Sequence, residues 1–424
     1  GRIPINSCDF SPETYSFDDT VDDFSLKYFD DDITIDATRT IPMIRAAQVY
    51  SEPQLKLVAS PWSPPAWMKT NDDMLHGGKV NDTCKDVWAQ YIIRWLDAYS
   101  KHGVGMWGIT VQNEPESSQD WESCEYRVDE EVAFVTSHLG PKLRDVYPYL
   151  RILGFDHNKD HLYEWATSLF DEASASSTYF DGIAFHWYAG SCFHQIQRVA
   201  AGVCKRQHIN ALQQVATSFP GKILLPTEAC YELALIQGED VNSNSFVPNG
   251  SWYRGEGYAN DIMLDLEGGS SGWIDWNLLL DETGGPNHVN NLCDAPILVD
   301  TTGRGYTIHF HPQYYYLGHF SKFVRPGSIR IHVNLDSTQH TAPERPDDVD
   351  DEGDCQGWPL YGRCPPGSIK GAAFQRPDGD VVLIVLNCGD KESWFHLEVR
   401  SGLFVENVIR PHSIQTLVLD NHVL

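Results

Sequence analysis

A chain of 424 residues, 42 % of them apolar, is long and apolar enough for more than one packed core, which excludes a disordered chain. Its 31 basic against 59 acidic residues leave a formal net charge of −28, the wrong sign for a partner bound through its phosphates, so no nucleic-acid role is expected. No run of about eighteen apolar residues occurs, so no spanning helix is expected, and 13 Trp offer flat faces on which sugars stack or cores pack.

Arg2–Asn6 reads as a buried strand running into Ser7-Cys8-Asp9-Phe10. The chain thus begins on a strand and has no visible signal peptide, which reads as the start of a fragment. Residues 12–36, rich in Asp with aromatics between, read as a long loop, and Arg39–Tyr50 as a helix. Leu55–Ala59 is the next strand; it enters Ser60-Pro61-Trp62-Ser63-Pro64-Pro65-Ala66-Trp67, where the prolines stop regular structure and stiffen the loop. Asp86–His102 carries Val87, Trp88, Tyr91, Ile92, Trp95, Leu96 and Tyr99 at helical spacing. Gly103–Gly108 matches G-x-G-x-x-G, but it follows a helix and precedes a strand, the reverse of what a dinucleotide site needs. Gly108–Gln112 is a strand that ends on Asn113-Glu114-Pro115. Helices at Asp129–Val146, His161–Phe170, His194–Phe219 and Gly257–Leu266 then alternate with strands at 151–155, 182–186, 223–227 and 272–276. Ala295–Asp300 reads as a short β element and Tyr314–Val324 as a helix.

This alternation counts seven strands, at 2–6, 55–59, 108–112, 151–155, 182–186, 223–227 and 272–276, and implies a parallel α/β sheet over residues 1–324. The simplest account is an eight-stranded TIM barrel whose first strand lies upstream of Gly1. From 325 to 424 the pattern changes to strands without long helices: Ser328–Val333, Ile369–Gln375, Val381–Asn387, Ser393–Glu398, Glu406–Val408 and Ser413–Leu419. Pro377-Asp378-Gly379 marks a hairpin turn, and residues 341–354 form an acidic, Pro-rich insert in what reads as a small β-sandwich.

Ten cysteines show no C-x-x-C spacing. Cys355 and Cys364 flank a short loop and are candidates for a disulfide, Cys192 and Cys204 bracket another loop, and Cys8 and Cys230 are expected to be free. The sequons at Asn81 and Asn249 raise the expectation of secretion modestly.

The chemistry is carried by two apolar runs that each end in a glutamate, Glu114 and Glu228. Catalytic groups of an α/β barrel sit at the C-terminal ends of its strands, and a glycosidase needs two carboxylates, one to donate a proton and one to attack. Pro115 stops the strand and helps fix the direction of Glu114.

Asn113-Glu114-Pro115 with a second Glu three strands on is the pattern of clan A glycoside hydrolases. Together with Ser7-Cys8-Asp9-Phe10-Ser11, Ala59-Ser60-Pro61-Trp62, Phe185-His186-Trp187-Tyr188, Thr227-Glu228-Ala229-Cys230, Gly272-Trp273-Ile274-Asp275-Trp276-Asn277, Gly284-Gly285-Pro286-Asn287 and Leu317-Gly318-His319-Phe320-Ser321-Lys322-Phe323, the chain closely resembles the glucosylceramidases (acid β-glucosidases) of glycoside hydrolase family 30, from Arg2 to the last strands. The resemblance implies a retaining β-glucosidase with Glu114 as acid/base and Glu228 as nucleophile. It implies that Asp9, Trp62, Asn113, Trp276 and Asn291 hold the glucose, that Tyr188 hydrogen-bonds the nucleophile and that His186 lies beside it. Glu228 is then expected to stay ionised, helped by hydrogen-bond donors, and Glu114 to start protonated, helped by burial and by the nearby negative charge. The substrate implied is glucosylceramide or a related β-glucoside, with a lysosomal or secreted location and a contact with a membrane surface or an activator protein. No metal and no cofactor is expected: His186, His309 and His311 are read as hydrogen-bonding or packing residues.

The chain departs from that pattern in three places. Asp156-His157-Asn158 stands where relatives have Asp-Asp-Gln, His288 where a Trp is usual, and the insert at 341–354 is extra. Two other readings compete with the glucosidase: a family 30 β-glycanase, which a polar rim would favour, and a non-catalytic glycolipid-binding relative.

Overall fold

The computed structural model describes all residues except 52–54, 189–210, 234–251, 304, 334–363, 365–368, 401 and 422–424. Six strands form one parallel sheet in sequence order: β1 (Arg2–Ile5), β2 (Val58–Pro61), β3 (Gly108–Thr110), β4 (Arg151–Asn158), β5 (Gly182–His186) and β6 (Ile223–Glu228). The pairing is in step, as in Ile3↔Ala59, Ile109↔Ile152 and Ile183↔Leu224. Parallel neighbours need crossovers, and helices supply them. These are α1 (Thr34–Thr38) and α2 (Thr40–Tyr50) after β1, α3 (Lys85–Lys101) after β2, α4 (Val128–Phe134) and α5 (Gly140–Val146) after β3, α6 (Leu162–Leu169) and α7 (Ser176–Tyr179) after β4, α8 (Ala211–Ser218) before β6 and α9 (Trp252–Glu267) after it. This is the TIM-barrel architecture the sequence implies, with six of its strands laddered among the described residues.

The strands read as unbroken apolar runs because both faces are covered, and every residue of β5 is buried. All seven apolar residues expected on the inner face of α3 are buried, and Gly103, at φ 75°, ends the helix in the left-handed conformation that a residue without Cβ adopts freely. The helix expected at Asp129–Val146 is split by a π-helical turn over Val135–Leu139. Pro141 at the start of α5 has no N–H to continue the ladder.

The seventh expected strand, 272–276, is a correction. It runs beside β6 and gives it three N–H bonds, from Ser271 to Leu224, Ile274 to Pro226 and Trp276 to Ala229, but builds no regular ladder. Pro226 has no N–H to return, and the spacing of the three bonds drifts by a residue. Beyond it, β7 (Leu279–Asp281), β8 (Ile297–Asp300) and β9 (Thr307–Phe310) make a small sheet of which only β8 was expected, and α10 (Pro312–Ser321) follows. Helix α9 begins five residues before the expected start. Gly255 and Gly257 hide its pattern, and a Cβ on Gly255 would lie 2.4 Å from the Tyr316 ring of α10.

In the C-terminal part β10 (Ile329–Ile331), β11 (Ile369–Gln375), β12 (Val381–Asn387) and β15 (Ser413–Leu419) form one antiparallel sheet, and β13 (Ser393–Arg400) pairs with β14 (Leu403–Ile409). Gly379, at φ 93°, makes the expected turn between β11 and β12. Ala259, Ile262 and Met263 of α9 pack with Phe374, Val382 and Ile384 of this sheet. Cys364 is bonded to Cys388, not to Cys355 as its short loop suggested, because β12 brings Cys388 alongside. Cys8 and Cys230 are free thiols as expected. Cys192, Cys204, Cys355, the insert at 341–354 and the first part of the helix expected at 194–219 lie outside the described residues.

Candidate active site

The C-terminal ends of β2 to β6 converge on one cavity, of about 240 Å³. After β3 the chain bends at Val111 and again at Asn113, whose N–H bonds the Pro61 carbonyl at 2.8 Å. Glu114 then turns left-handed, at φ 48°, and its N–H is held by the Asp156 carbonyl at 3.0 Å. A left-handed glutamate costs about 1–2 kcal/mol and persists only where its surroundings fix it, here by a bond from the next strand. β4 bulges between Phe155 and His157, with φ of 72° and 62° at Phe155 and Asp156. The bulge turns the Asp156 side chain inward, where no exposed surface remains to it.

Arg2 ties these strand ends together. Its Nη1 donates to Glu228 Oε2, its Nη2 to Asn113 Oδ1 (2.6 Å) and Asp156 Oδ2 (2.7 Å), and its Nε to Ser60 Oγ (3.0 Å). The guanidinium also lies 4.5 Å from the centre of the Trp62 ring. Asp156 meets the hydroxyls of Thr110 and Thr227, each at 2.6 Å, and His186 Nε2 at 3.0 Å. The other nitrogen of His186, Nδ1, is 3.3 Å from Glu114 Oε1. Tyr188 donates its hydroxyl to Glu228 Oε1 at 2.9 Å.

Eight of the nine expected site residues line the cavity: Asp9, Trp62, Asn113, Glu114, Tyr188, Glu228, Trp276 and Asn291. The ninth, His186, is fully buried beneath them. Trp62 and Trp276 stack at 5.0 Å and 23° to form one wall. Asp9 Oδ2 accepts from the side-chain amides of Asn291 (3.0 Å) and Asn287 (3.3 Å). His288 is tied to Ser11 O at 3.0 Å and does not line the cavity. His311 is buried elsewhere, on Asp294 at 2.7 Å.

The charges are set by burial and by neighbours. Burial opposes a charge on His186, but the Glu228 carboxylate and the bonds to Asp156 and Glu114 outweigh it and push its pKa up to about 9. Burial likewise acts to raise Asp156, yet Arg2 and His186 hold it far below the ordinary carboxylate range. For Glu114 burial also acts upward, and His186, His157 and Arg2 together bring it below its ordinary value. Burial, which favours the protonated acid expected at Glu114, thus meets a counterweight in the positive charge of His186 beside it. Asp9 is pushed up to about 8, chiefly by burial. Atoms of Glu114, His186 and Glu228 lie within 4.8 Å of one another, the spacing of a metal cluster. An imidazole protonated on both nitrogens has no lone pair to offer an ion.

Comparison with known proteins decides the family. The glycosyl hydrolase family 30 TIM-barrel domain matches residues 1–324, and the family 30 beta sandwich domain matches 363–417. The chain belongs to glycosyl hydrolase family 30. Putative glucosylceramidase 3 of Caenorhabditis elegans is 37 % identical over 347 residues, 79 % of this chain and 61 % of the relative. The chain thus spans about three-fifths of that relative's length. The lysosomal acid glucosylceramidase of Mus musculus is 31 % identical over 424 residues, 98 % of this chain and 72 % of the relative. Among solved structures, SrfJ from Salmonella typhimurium matches with a TM-score of 0.79 at 33 % identity, covering 98 % of this chain and 80 % of that one.

In this family 30 chain the sequence reading missed Arg2, Asp156, His157 and Glu232 as parts of the site. A cation inside an otherwise apolar strand was the available signal for Arg2. His157 lines the cavity 3.9 Å from Glu114 Oε1, and burial lowers its pKa. Glu232 lines it as well, pushed up to about 7 by burial and by the charges of Glu114 and Glu228.

Proposed function

We propose that the chain is a retaining β-glucosidase acting on glucosylceramide or a related β-glucoside, with Glu228 as nucleophile and Glu114 as acid/base. The observation that carries this reading is that oxygens of the two carboxylates, at the ends of β3 and β6, lie within 4.8 Å of one another. Retention needs carboxyls about 5–5.5 Å apart, whereas inversion needs about 6.5–9.5 Å to admit a water between them.

In the first step a Glu228 oxygen attacks the anomeric carbon, and the leaving oxygen takes a proton from Glu114. In the second, Glu114 takes a proton from water, which displaces Glu228 and frees glucose with its configuration retained. Arg2 and Tyr188 hold Glu228 as an oriented anion. His186 lies 3.3 Å from Glu114, and its charge acts to lower the pKa of Glu114 against burial. A bound sugar expels water and strengthens the repulsion between the two carboxylates, which raises Glu114. Asp9, Asn113 and Asn291 meet sugar hydroxyls, and the Trp62–Trp276 wall meets an apolar sugar face.

The reading carries a lysosomal or secreted location, which the Cys364–Cys388 disulfide supports. The exposed side chains of Tyr306, Ile308 and Phe310, at alternate positions along β9 and the residue before it, support contact with a membrane surface or an activator protein. Among the described residues no helix is long and apolar enough to cross a membrane. One observation favours a more polar leaving group, as in a family 30 β-glycanase. Beside the expected sugar-holding residues, Ser117, Gln119, His157, Asn158 and Glu232 give the cavity further polar lining.

The test is hydrolysis of a fluorogenic β-glucoside at about pH 5 beside glucosylceramide in detergent and a β-1,6-linked glucan. We expect turnover of the first two, lost in Glu228→Gln by at least about a thousandfold. Turnover of the glucan alone would replace the glucosidase by the glycanase, and binding without turnover of any of them would replace the enzyme by a binding protein.

A further inference from the structure

We propose that Cys230 and Cys293 form an oxidisable dithiol that small disulfides entering the cavity close to an internal disulfide, and that closing it weakens the hold of Tyr188 on Glu228. The two sulfurs lie 3.1 Å apart, inside the roughly 3.5–4.0 Å at which unbonded heavy atoms settle. Both residues line the cavity, although each is only 1 % exposed, so a reagent small enough to occupy it meets them and bulk solvent hardly does.

The backbone holds the pair in place. Leu233 N–H bonds Leu292 O and Asp294 N–H bonds Tyr231 O, each at 2.9 Å, which pins 231–233 against 292–294. The Trp187 indole donates to Cys230 O at 3.0 Å, and Cys293 N–H bonds Gly284 O at 3.1 Å. The sulfurs need to close by only about 1 Å to reach bonding distance.

The link to the reaction runs through one hydroxyl. Tyr188 Oη is 2.9 Å from Glu228 Oε1 and 3.3 Å from Cys230 Sγ. In the reduced pair the Cys230 S–H is directed at Cys293 Sγ, and Cys230 Sγ also stays within hydrogen-bond distance of the oxygen that donates to the nucleophile. A disulfide has no S–H, and it draws Cys230 Sγ toward Cys293. Cys230 stands two residues after Glu228.

The chemistry balances as two exchanges. A Cys293 thiolate attacks a sulfur of RS–SR, that bond breaks, and RS⁻ leaves through the cavity. Cys230, after losing its proton, attacks the Cys293 sulfur of the mixed disulfide and expels the second RS⁻. The two thiol protons end on the two RS⁻, so two cysteines are oxidised by two electrons and one small disulfide is reduced to two thiols. Burial raises both thiols, which slows the first attack and keeps the pair reduced until a reagent is held in the cavity.

The experiment treats the folded chain with oxidised dithiothreitol or cystamine, quenches in acid, alkylates and maps peptides by mass spectrometry. We expect a cross-link between the Cys230 and Cys293 peptides, reversed by excess reduced dithiothreitol, while the buried free thiols Cys8, Cys84 and Cys124 remain alkylatable. We expect kcat on the fluorogenic glucoside to fall about fivefold on oxidation, the size of one weak hydrogen bond, with KM little changed. Cys293→Val, compared with itself with and without oxidant, should show no change in kcat. No cross-link in the native chain, or equal loss of Cys8, Cys84, Cys124, Cys230 and Cys293, would overturn the site. A cross-link without any change in kcat would overturn its coupling to the nucleophile. The mapping needs neither a variant nor an active enzyme, so the site can fail while the glucosidase reading stands, and the reverse.

Discussion

Replacing Arg2 by Met removes a guanidinium that bonds Glu228, Asn113, Asp156 and Ser60 and keeps a side chain of similar length. The Arg2 side chain is 1 % exposed and that of Asp156 not at all, so the variant strands a buried carboxylate. Removing one partner of a buried pair costs about 3–5 kcal/mol. Here His186 and the hydroxyls of Thr110 and Thr227 still meet Asp156, which argues for the lower end. Loss of the guanidinium from the Trp62 face adds about 1 kcal/mol, giving about 4 in all. Against a usual stability of about 5–15 kcal/mol the variant should still fold. Glu228 loses its charged donor, for which we expect kcat/KM to fall by about 10²–10³. Arg2→Lys keeps the charge but not the fork, and we expect about half the loss in stability and about a tenfold loss in rate. Urea titration and initial rates on a fluorogenic β-glucoside measure both. A Met variant within about 1 kcal/mol and tenfold of the parent would refute the claim that Arg2 fixes the site.

Tyr188→Phe deletes the hydroxyl that donates to Glu228 Oε1, and kcat should fall about tenfold with stability changed by less than about 1.5 kcal/mol; an unchanged kcat would sever Tyr188 from the nucleophile. Trp276→Ala removes the ring stacked on Trp62 and set edge-on to Phe10, costing about 3–5 kcal/mol with a KM raised about tenfold, read by urea titration and saturation kinetics. Stability should decline with rising pH. His186 is raised to about 9, and burial chiefly raises Asp9, Glu131 and Asp275 to about 8 and Glu232 to about 7. Each holds its proton more tightly folded than unfolded, so its contribution is complete below the unfolded pKa, about 4 for the carboxyls and about 6.5 for the imidazole, and is lost as pH rises through about 7–9. Tm from scanning fluorimetry should therefore fall by several degrees between about pH 5 and pH 9, and a flat or rising Tm would contradict the burial of those protons.

The sequence carries the fold where the signal is local. The ends of β11, β12 and β15 agree residue for residue with their apolar runs, because Pro377-Asp378-Gly379 sets the register of the hairpin. Helix α3 agrees to within one residue at each end because its apolar face is wide and uninterrupted. Both carboxylates and five of the other six cavity-lining positions were legible because each follows a strand or belongs to a long motif, and Asn291 came with the family resemblance. What was not legible depends on residues distant in sequence. Arg2 reaches Asn113, Asp156 and Glu228, 111 to 226 positions away, and only the closing of the sheet brings them together. Asp156 points inward because of a bulge that its apolar strand does not announce. Cys364 finds Cys388 because of sheet pairing, not loop length. The pull of His186 on Glu114, against burial, likewise comes from a residue 72 positions away.

The most direct test of the double-displacement account is to trap the nucleophile. An activated 2-deoxy-2-fluoro-β-glucoside slows the second step more than the first, so the glycosyl-enzyme accumulates and can be mapped by mass spectrometry. The account predicts one fluoroglucosyl group per chain, on the peptide that contains Glu228, and none in Glu228→Gln. Labelling at Glu114 or Glu232 instead, or turnover of the parent substrate with no covalent intermediate, would contradict it.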